Sequence, residues 1–138
     1  MIVLDTNVVS ELMRTAPAPP VLTWLGTHAS TQLHVTAITV AEVLAGIALL
    51  PRGARRDKLD AAARGMFEGD FAGRCLAFDE VAASHYADIV ARRTRAGRPI
   101  TSLDAQMGAI ARSRGGALAT RNVSDFVGCG VEVVDPWG

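Results

Sequence analysis

The chain has 138 residues, the length of one domain. Apolar residues make up 49% and charged residues 20%, with 14 basic side chains against 14 acidic ones. This balance supplies a core and excludes a disordered polyelectrolyte, a histone-like basic arm and an acidic tail. Nucleic acid stays open as a partner, because a local patch suffices to bind it. No apolar run approaches the roughly 18 residues of a membrane span. The N-terminus shows neither a charged leader segment nor a small-residue cleavage site. Cys75 and Cys129 have no zinc spacing and form no disulfide framework. A soluble, cytoplasmic protein with reduced thiols is therefore expected.

Ile2-Val3-Leu4 is a short apolar, β-favouring run that stops at Asp5-Thr6-Asn7, and it predicts a buried strand followed by a cap. Val8 to Met13 can form one or two helical turns, which Pro17, Pro19 and Pro20 end. Val21, Trp24, Leu25 and His28 recur at helical spacing. Leu33 to Ile38 reads as a second strand. Thr39 to Leu50 is apolar nearly all round and predicts a deeply buried helix. Leu59, Ala62, Ala63, Met66 and Phe67 make a helical stripe, with Asp60 and Arg64 paired on the opposite side.

Cys75 to Phe78 is a third strand candidate. From Asp79 the pattern is helical again, with Ala82, Tyr86, Ile89 and Val90 on one face and Ser84, Asp88, Arg92 and Arg95 on the other. Gly97 and Pro99 stop it. Thr101 to Arg114 predicts another helix, closed by Gly115-Gly116. Ala117 to Ala119 and Val131 to Val134 are the remaining strand candidates. Short apolar strands alternating with amphipathic helices indicate a parallel sheet covered by helices. Residues 1–138 are thus expected to form a single α/β domain with about five short strands.

Four acids fall at related places. Asp5 follows the first strand, and Glu42 lies in Thr39-Val40-Ala41-Glu42 after the second. Asp104 lies in Thr101-Ser102-Leu103-Asp104 at a helix start, and Asp125 follows the Ala117–Ala119 strand. Singly, each is a helix cap or a first-turn acid. Together they point elsewhere, because the C-terminal ends of parallel strands share one edge, where ligands bind. Carboxylates gathered there repel each other unless a cation offsets them. Hard oxygen ligands suit Mg²⁺ or Mn²⁺, and such a site performs metal-assisted phosphodiester hydrolysis.

Several of these segments carry a family resemblance. Met1-Ile2-Val3-Leu4-Asp5-Thr6-Asn7-Val8-Val9-Ser10-Glu11, Ile38-Thr39-Val40-Ala41-Glu42, the Asp104 helix and Ala119-Thr120-Arg121-Asn122 resemble PIN-domain ribonucleases. More narrowly, they resemble the VapC-type toxins of bacterial toxin–antitoxin pairs. Phe78-Asp79-Glu80 and Pro136-Trp137 are similar to the FitB-like branch of that group. The resemblance runs through essentially the whole chain in order. It implies a three-layer α/β/α fold with a short, mostly parallel sheet and Mg²⁺- or Mn²⁺-dependent endoribonuclease activity. It also implies a homodimer neutralised by a cognate antitoxin, with DNA reached only through that antitoxin.

The family's acidic positions match Asp5, Glu42 and Asp104, of which Asp5 and Asp104 are expected to bind the metal. The fourth position departs: Asn122 stands where related sequences often have an acid, and Asp125 is the expected substitute. Thr6, Asn7 and Thr120 are candidate ligand-orienting groups and equally turn formers. Arg121 is a candidate phosphate ligand and equally an ordinary surface arginine. Trp24 and Trp137 read as packing residues, and His28, His34 and His85 as structural. The stripe from Leu59 to Phe67 suits either a partner groove or the protein's own core.

Two other functions compete with this reading. A haloacid-dehalogenase-type phosphatase would use Asp5 as nucleophile and want an acid at position 7, where Asn7 stands, and Lys58 is the only lysine. A non-catalytic antitoxin-binding module would have no need to retain Asp5, Glu42 and Asp104. Nucleotide-binding glycine loops and the hydrolase nucleophile elbow are absent from the sequence.

Overall fold

The computed structural model describes residues 1–138. Five short strands form one sheet: β1 (Ile2–Leu4), β2 (Leu33–Thr36), β3 (Cys75–Leu76), β4 (Ala117–Ala119) and β5 (Val133–Val134). Their order is β3-β2-β1-β4-β5, and every pairing is parallel. The chain starts in the middle of the sheet, builds one half outward, and crosses back to build the other. β1 is therefore flanked on both sides, and the residue that follows it is central.

Side chains alternate across the sheet. Val3, Leu76 and Leu118 face α5 (Glu80–Arg95) and α6 (Ser102–Ser113), where Ile89, Met107, Ile110 and Phe126 fill the core. Leu4, Val35 and Ala119 face α1 (Thr6–Leu12), α2 (Pro19–Gly26), α3 (Ala37–Ala48) and α4 (Ala54–Gly65). The result is the expected three-layer α/β/α sandwich, and its sheet is entirely parallel. No helix is long and apolar enough to cross a membrane. Cys75 and Cys129 are both free thiols.

Capping defines the helix starts. Asp79 Oδ1 accepts from the Ala82 amide at 2.9 Å, and Thr101 Oγ1 from the Asp104 amide at 3.3 Å. Gly97 and Gly115 adopt φ of 70° and 65°, the left-handed turn that closes α5 and α6.

Several boundaries differ from the sequence reading. β2 ends at Thr36, because Thr36 Oγ1 accepts from the Thr39 amide at 3.2 Å and caps α3 two residues earlier than expected. Thr39 is consequently a buried helical residue, and Thr39-x-x-Glu42 is no capping box. α3 is also less buried than its composition suggested: Thr39, Val43 and Ile47 are covered, while Ala41, Glu42, Ala45, Gly46 and Ala48 lie open. Its alanines and glycine need no burial, so apolar composition overstated it. Pro19 and Pro20 begin α2, where a missing N–H costs nothing. β3 and β5, the two edge strands with a neighbour on one side only, are two residues each. The Leu59–Phe67 stripe covers the protein's own core, with Ala63 and Phe67 buried in it. Asp60 and Arg64 pair as expected, at 3.0 Å.

Candidate active site

The polypeptide turns at the C-terminal end of β1, and Asp5 is the turning point. Its main-chain N–H still donates to Ala119 O at 2.9 Å, as a last rung of the sheet. Its side chain caps α1 by accepting from the Thr6 amide at 2.7 Å. The carboxylate also accepts from Thr120 Oγ1 at 2.7 Å and from Asn7 Nδ2 at 3.2 Å. Burial pushes the Asp5 carboxyl above its ordinary range; Thr120 and the Thr6 amide oppose this, and the charges of Glu42 and Asp125 add to it.

The expected orienting groups form a polar scaffold around Asp5. Asn7 Nδ2 donates to Thr120 Oγ1 at 3.1 Å, and Asn7 Oδ1 accepts from the Arg121 amide at 3.2 Å. Thr120 is fully buried and also accepts from the Asn122 amide at 3.0 Å. Thr6 Oγ1 donates to Glu42 Oε1 at 2.9 Å, so the proton shared with Thr39 Oγ1, 3.0 Å away, comes from Thr39. The first turn of α1 thereby ties the carboxylates of β1 and α3 into one network.

Asp104 stands in the first turn of α6. Its carboxyl is raised by burial and by the charges of Asp5 and Asp125, while Thr101 and Arg93 oppose the shift. Asp5, Glu42 and Asp104 all line one cleft of about 560 Å³, together with Thr6, Asn7, Arg121 and Asn122. None of the three acids is ion-paired, although Arg14 and Arg121 line the same cleft. No group of three acidic, histidine or cysteine side chains is drawn together at ligand distance. The cleft offers carboxylates that face shared space, not a closed cage.

The fourth position divides between two residues. Asn122 lines the cleft, whereas Asp125 is exposed on the 3₁₀ turn Val123–Phe126 and reaches Asp5 and Asp104 only through its charge. The cap between them is a main-chain one, Asp125 N–H to Asn122 O at 3.0 Å, and does not use the Asn122 side chain.

Four further residues line the cleft, Ser10, Glu11, Arg14 and Trp137, and composition and spacing did not mark them as site residues. Glu11 is buried, and it accepts from the Ala18 amide at 2.9 Å and from Arg14 at 3.3 Å, contacts that hold its carboxyl below the ordinary range. It latches the Arg14–Ala18 turn to α1. Arg14 and Trp137 complete the rim. Their only signal in the sequence was position within segments noted for other reasons. His28, by contrast, is structural as expected: its ring lies 4.6 Å from Trp24 and its Nδ1 is 2.9 Å from Trp24 O. No histidine lines the cleft.

A covalent phosphatase is poorly served here. Asn7 is a strut of Asp5, and Lys58 lines the neighbouring groove of about 1100 Å³ rather than the acidic cleft. That groove runs between α1, α3 and α4 and shares Thr6, Ser10, Arg14 and Glu42 with the cleft.

Known proteins share this architecture. The chain is 39% identical over 137 residues to VapC ribonuclease Y4jK of Sinorhizobium fredii, covering 99% of this chain and 98% of that protein. It is 37% identical to Toxin FitB of Neisseria gonorrhoeae, covering 99% of both. A solved structure of FitAB bound to an IR36 DNA fragment superposes with a TM-score of 0.93 at 37% identity, covering 100% of this chain and 96% of that one. The PIN domain model matches residues 2–126, and by that match the chain belongs to the PIN domain family.

Proposed function

We propose that the chain is a metal-dependent endoribonuclease, the toxin of a bacterial toxin–antitoxin pair, that hydrolyses RNA phosphodiesters in the Asp5 cleft. The observation that carries this is the set of three unpaired carboxylates, Asp5, Glu42 and Asp104, at the C-terminal edge of a parallel sheet. Burial and mutual repulsion disfavour charge on Asp5 and Asp104, so the pair calls for a cation. Mg²⁺ binds through one or two carboxylates and keeps several waters, which suits two acids facing open space better than a cage would. Asp5 and Asp104 would hold Mg²⁺ or Mn²⁺. When bound, such an ion polarises the scissile phosphate and activates the attacking water.

The protein's own residues do the positioning. Thr120, Asn7 and the Thr6 amide fix both oxygens of Asp5. Thr6 aims Glu42 into the cleft, where its carboxylate orients the water. Asp125 acts as the fourth acid from the outer shell, adding negative charge that favours cation binding, and Asn122 steers the loop.

The partner reading uses the larger groove. Its floor of Met13, Val43, Ile47, Leu50 and Leu59 and its rim of Arg14, Arg55 and Lys58 suit an amphipathic antitoxin segment. Because Thr6, Ser10, Arg14 and Glu42 belong to both groove and cleft, a segment seated there also closes the active site. The protein acts as a cytoplasmic homodimer and reaches DNA only through its antitoxin. A strictly monomeric scattering profile at high concentration counts against the dimer.

The direct test is cleavage of RNA by the purified protein. Activity should vanish in EDTA, return with Mg²⁺ or Mn²⁺, and be absent in Asp5→Asn and Asp104→Asn. Full activity in chelator overturns the reading. Sequencing RNA 5′ ends after brief expression of wild type and Asp5→Asn then locates the cut.

A further inference from the structure

Trp137 follows the buried Pro136 and is held by a short turn, in which its amide donates to Asp135 Oδ1 at 2.9 Å and the Gly138 amide to Asp135 O at 3.1 Å. The indole packs on the core of the α1–α4 side and borders the acidic cleft. The Arg121 guanidinium lies over this ring, 4.9 Å from its centroid. Arg121 is fixed at its main chain, where the amide donates to Asn7 Oδ1, the same side chain that supports Asp5.

The guanidinium itself has no partner. It forms no ion pair and donates no side-chain hydrogen bond, even though Asp5, Glu11, Glu42 and Asp104 line the same cleft. Arg14, across the rim, is by contrast tethered to Glu11. Its charge reaches Glu11 without a direct bond, and an arginine that bonds to no carboxylate and lies on an indole keeps its planar face and five donors available. Aromatic rings and guanidinium planes are what unstacked RNA bases rest on, and guanidinium donors match phosphate oxygens.

Building on the ribonuclease reading, we infer that Trp137 and Arg121 form a substrate subsite: a stacked platform that takes one unpaired nucleotide of single-stranded RNA beside the scissile phosphate. Trp137 holds the guanidinium flat. Arg121 stacks on the base and donates to the adjoining phosphate. A duplex cannot supply the base without unpairing, so the platform selects single strands. This gives Trp137 a binding role beyond the packing role its position in the sequence suggested.

The test uses a fluorescein-labelled oligoribonucleotide of mixed sequence, single-stranded or annealed to its complement, with full-length protein. Steady-state kinetics are measured for wild type, Trp137→Phe, Trp137→Leu, Arg121→Lys and Arg121→Ala. Losing one base stack should raise KM about 5- to 100-fold on the single strand, with kcat within about threefold, in Trp137→Leu and Arg121→Ala. Trp137→Phe should retain most of the affinity, and Arg121→Lys should not, because an ammonium has no plane. The preference for single strand over duplex should shrink in the same variants. Wild-type KM in Arg121→Ala overturns the platform, and so does rescue by Arg121→Lys or a loss confined to kcat. If Trp137→Leu fails to fold, the two variants at the exposed Arg121 decide. A wild-type protein that cleaves no RNA with Mg²⁺ or Mn²⁺ instead sinks the ribonuclease reading, and the platform with it.

Discussion

Thr120 Oγ1 donates to Asp5 Oδ2 at 2.7 Å, joining the first residue after β4 to the first residue after β1. The two strands are neighbours in register, Leu4 beside Ala119, so the bond follows from the sheet itself. The hydroxyl is used three times over, because it also accepts from Asn7 Nδ2 and from the Asn122 amide. Thr120→Val keeps the shape and removes all three bonds. It leaves the Asn122 amide and the Asn7 amide short of an acceptor. We expect a loss of about 1–3 kcal/mol in urea unfolding. Asp5 also loses a bond that favours its charged form, so the acid limb of the cleavage pH profile should move to higher pH. An unchanged profile would show that the hydroxyl does not tune Asp5.

Asp5 and Asp104 both have raised carboxyls, and the sign of the linkage follows. The folded state holds these protons more tightly than the unfolded chain does. Between the ordinary carboxylate range and the raised folded values, metal-free stability therefore falls as pH rises. Asp104→Asn removes one repelling charge and breaks no network around Asp5. It should raise the metal-free melting temperature at pH 7, with a smaller gain near pH 4. Asp5→Asn should gain less, since an amide cannot accept from Thr6 N–H, Thr120 and Asn7 with both its atoms. Thermal melts in EDTA at both pH values measure the difference. A larger gain for Asp5→Asn would put repulsion, not hydrogen bonding, in control at that position.

The alternation of short strands and helices, and the place of Asp5, Glu42 and Asp104 in it, were legible because each depends on local pattern: an apolar triplet, a turn, a helix start. What the residues did not reveal depends on contacts across the fold. Trp137 reaches the cleft because β5, which it follows, pairs beside β4 at the sheet edge, a contact that local pattern does not fix. Glu11 is buried through the Ala18 amide, which composition cannot foresee. The open face of α3 was hidden because alanine and glycine carry no burial signal of their own. Charge alone favours Asp125 over Asn122 in the sequence, since three residues of an irregular turn fix no direction.

Arg93 stands among the arginines of the last turn of α5, and unlike its neighbours it is buried. Its Nε donates to Arg98 O at 2.6 Å, and its Nη1 donates to Asp125 O at 2.7 Å and Val127 O at 3.0 Å. It stitches the end of α5 to the turn that carries Asp125. Arg93→Met preserves the apolar stem and strands these carbonyls. A loss of about 2–4 kcal/mol is expected in urea unfolding. Arg93→Lys should recover only part of it, because one ammonium cannot span carbonyls on both segments. Stability equal to wild type in Arg93→Met would mean that water replaces the guanidinium.

The same turn carries both candidates for the fourth position. Asn122 lines the cleft but carries no charge, and Asp125 carries charge but is exposed and outside the lining. Asp125 still raises the carboxyls of Asp5 and Asp104, so its field reaches them. Removing that field in Asp125→Asn should lower both carboxyls and shift the acid limb of the pH profile downward. It should also weaken Mg²⁺ affinity by about 10-fold, in the range of other outer-shell changes, and titration of Mg²⁺ against cleavage rate reads both effects. Asn122→Asp places an acid directly on the cleft. It should remain active and bind Mg²⁺ more tightly, while losing metal-free stability through added repulsion. If Asp125→Asn is indistinguishable from wild type and Asn122→Ala is inactive, the fourth position belongs to Asn122, and Asp125 serves only to shape the turn.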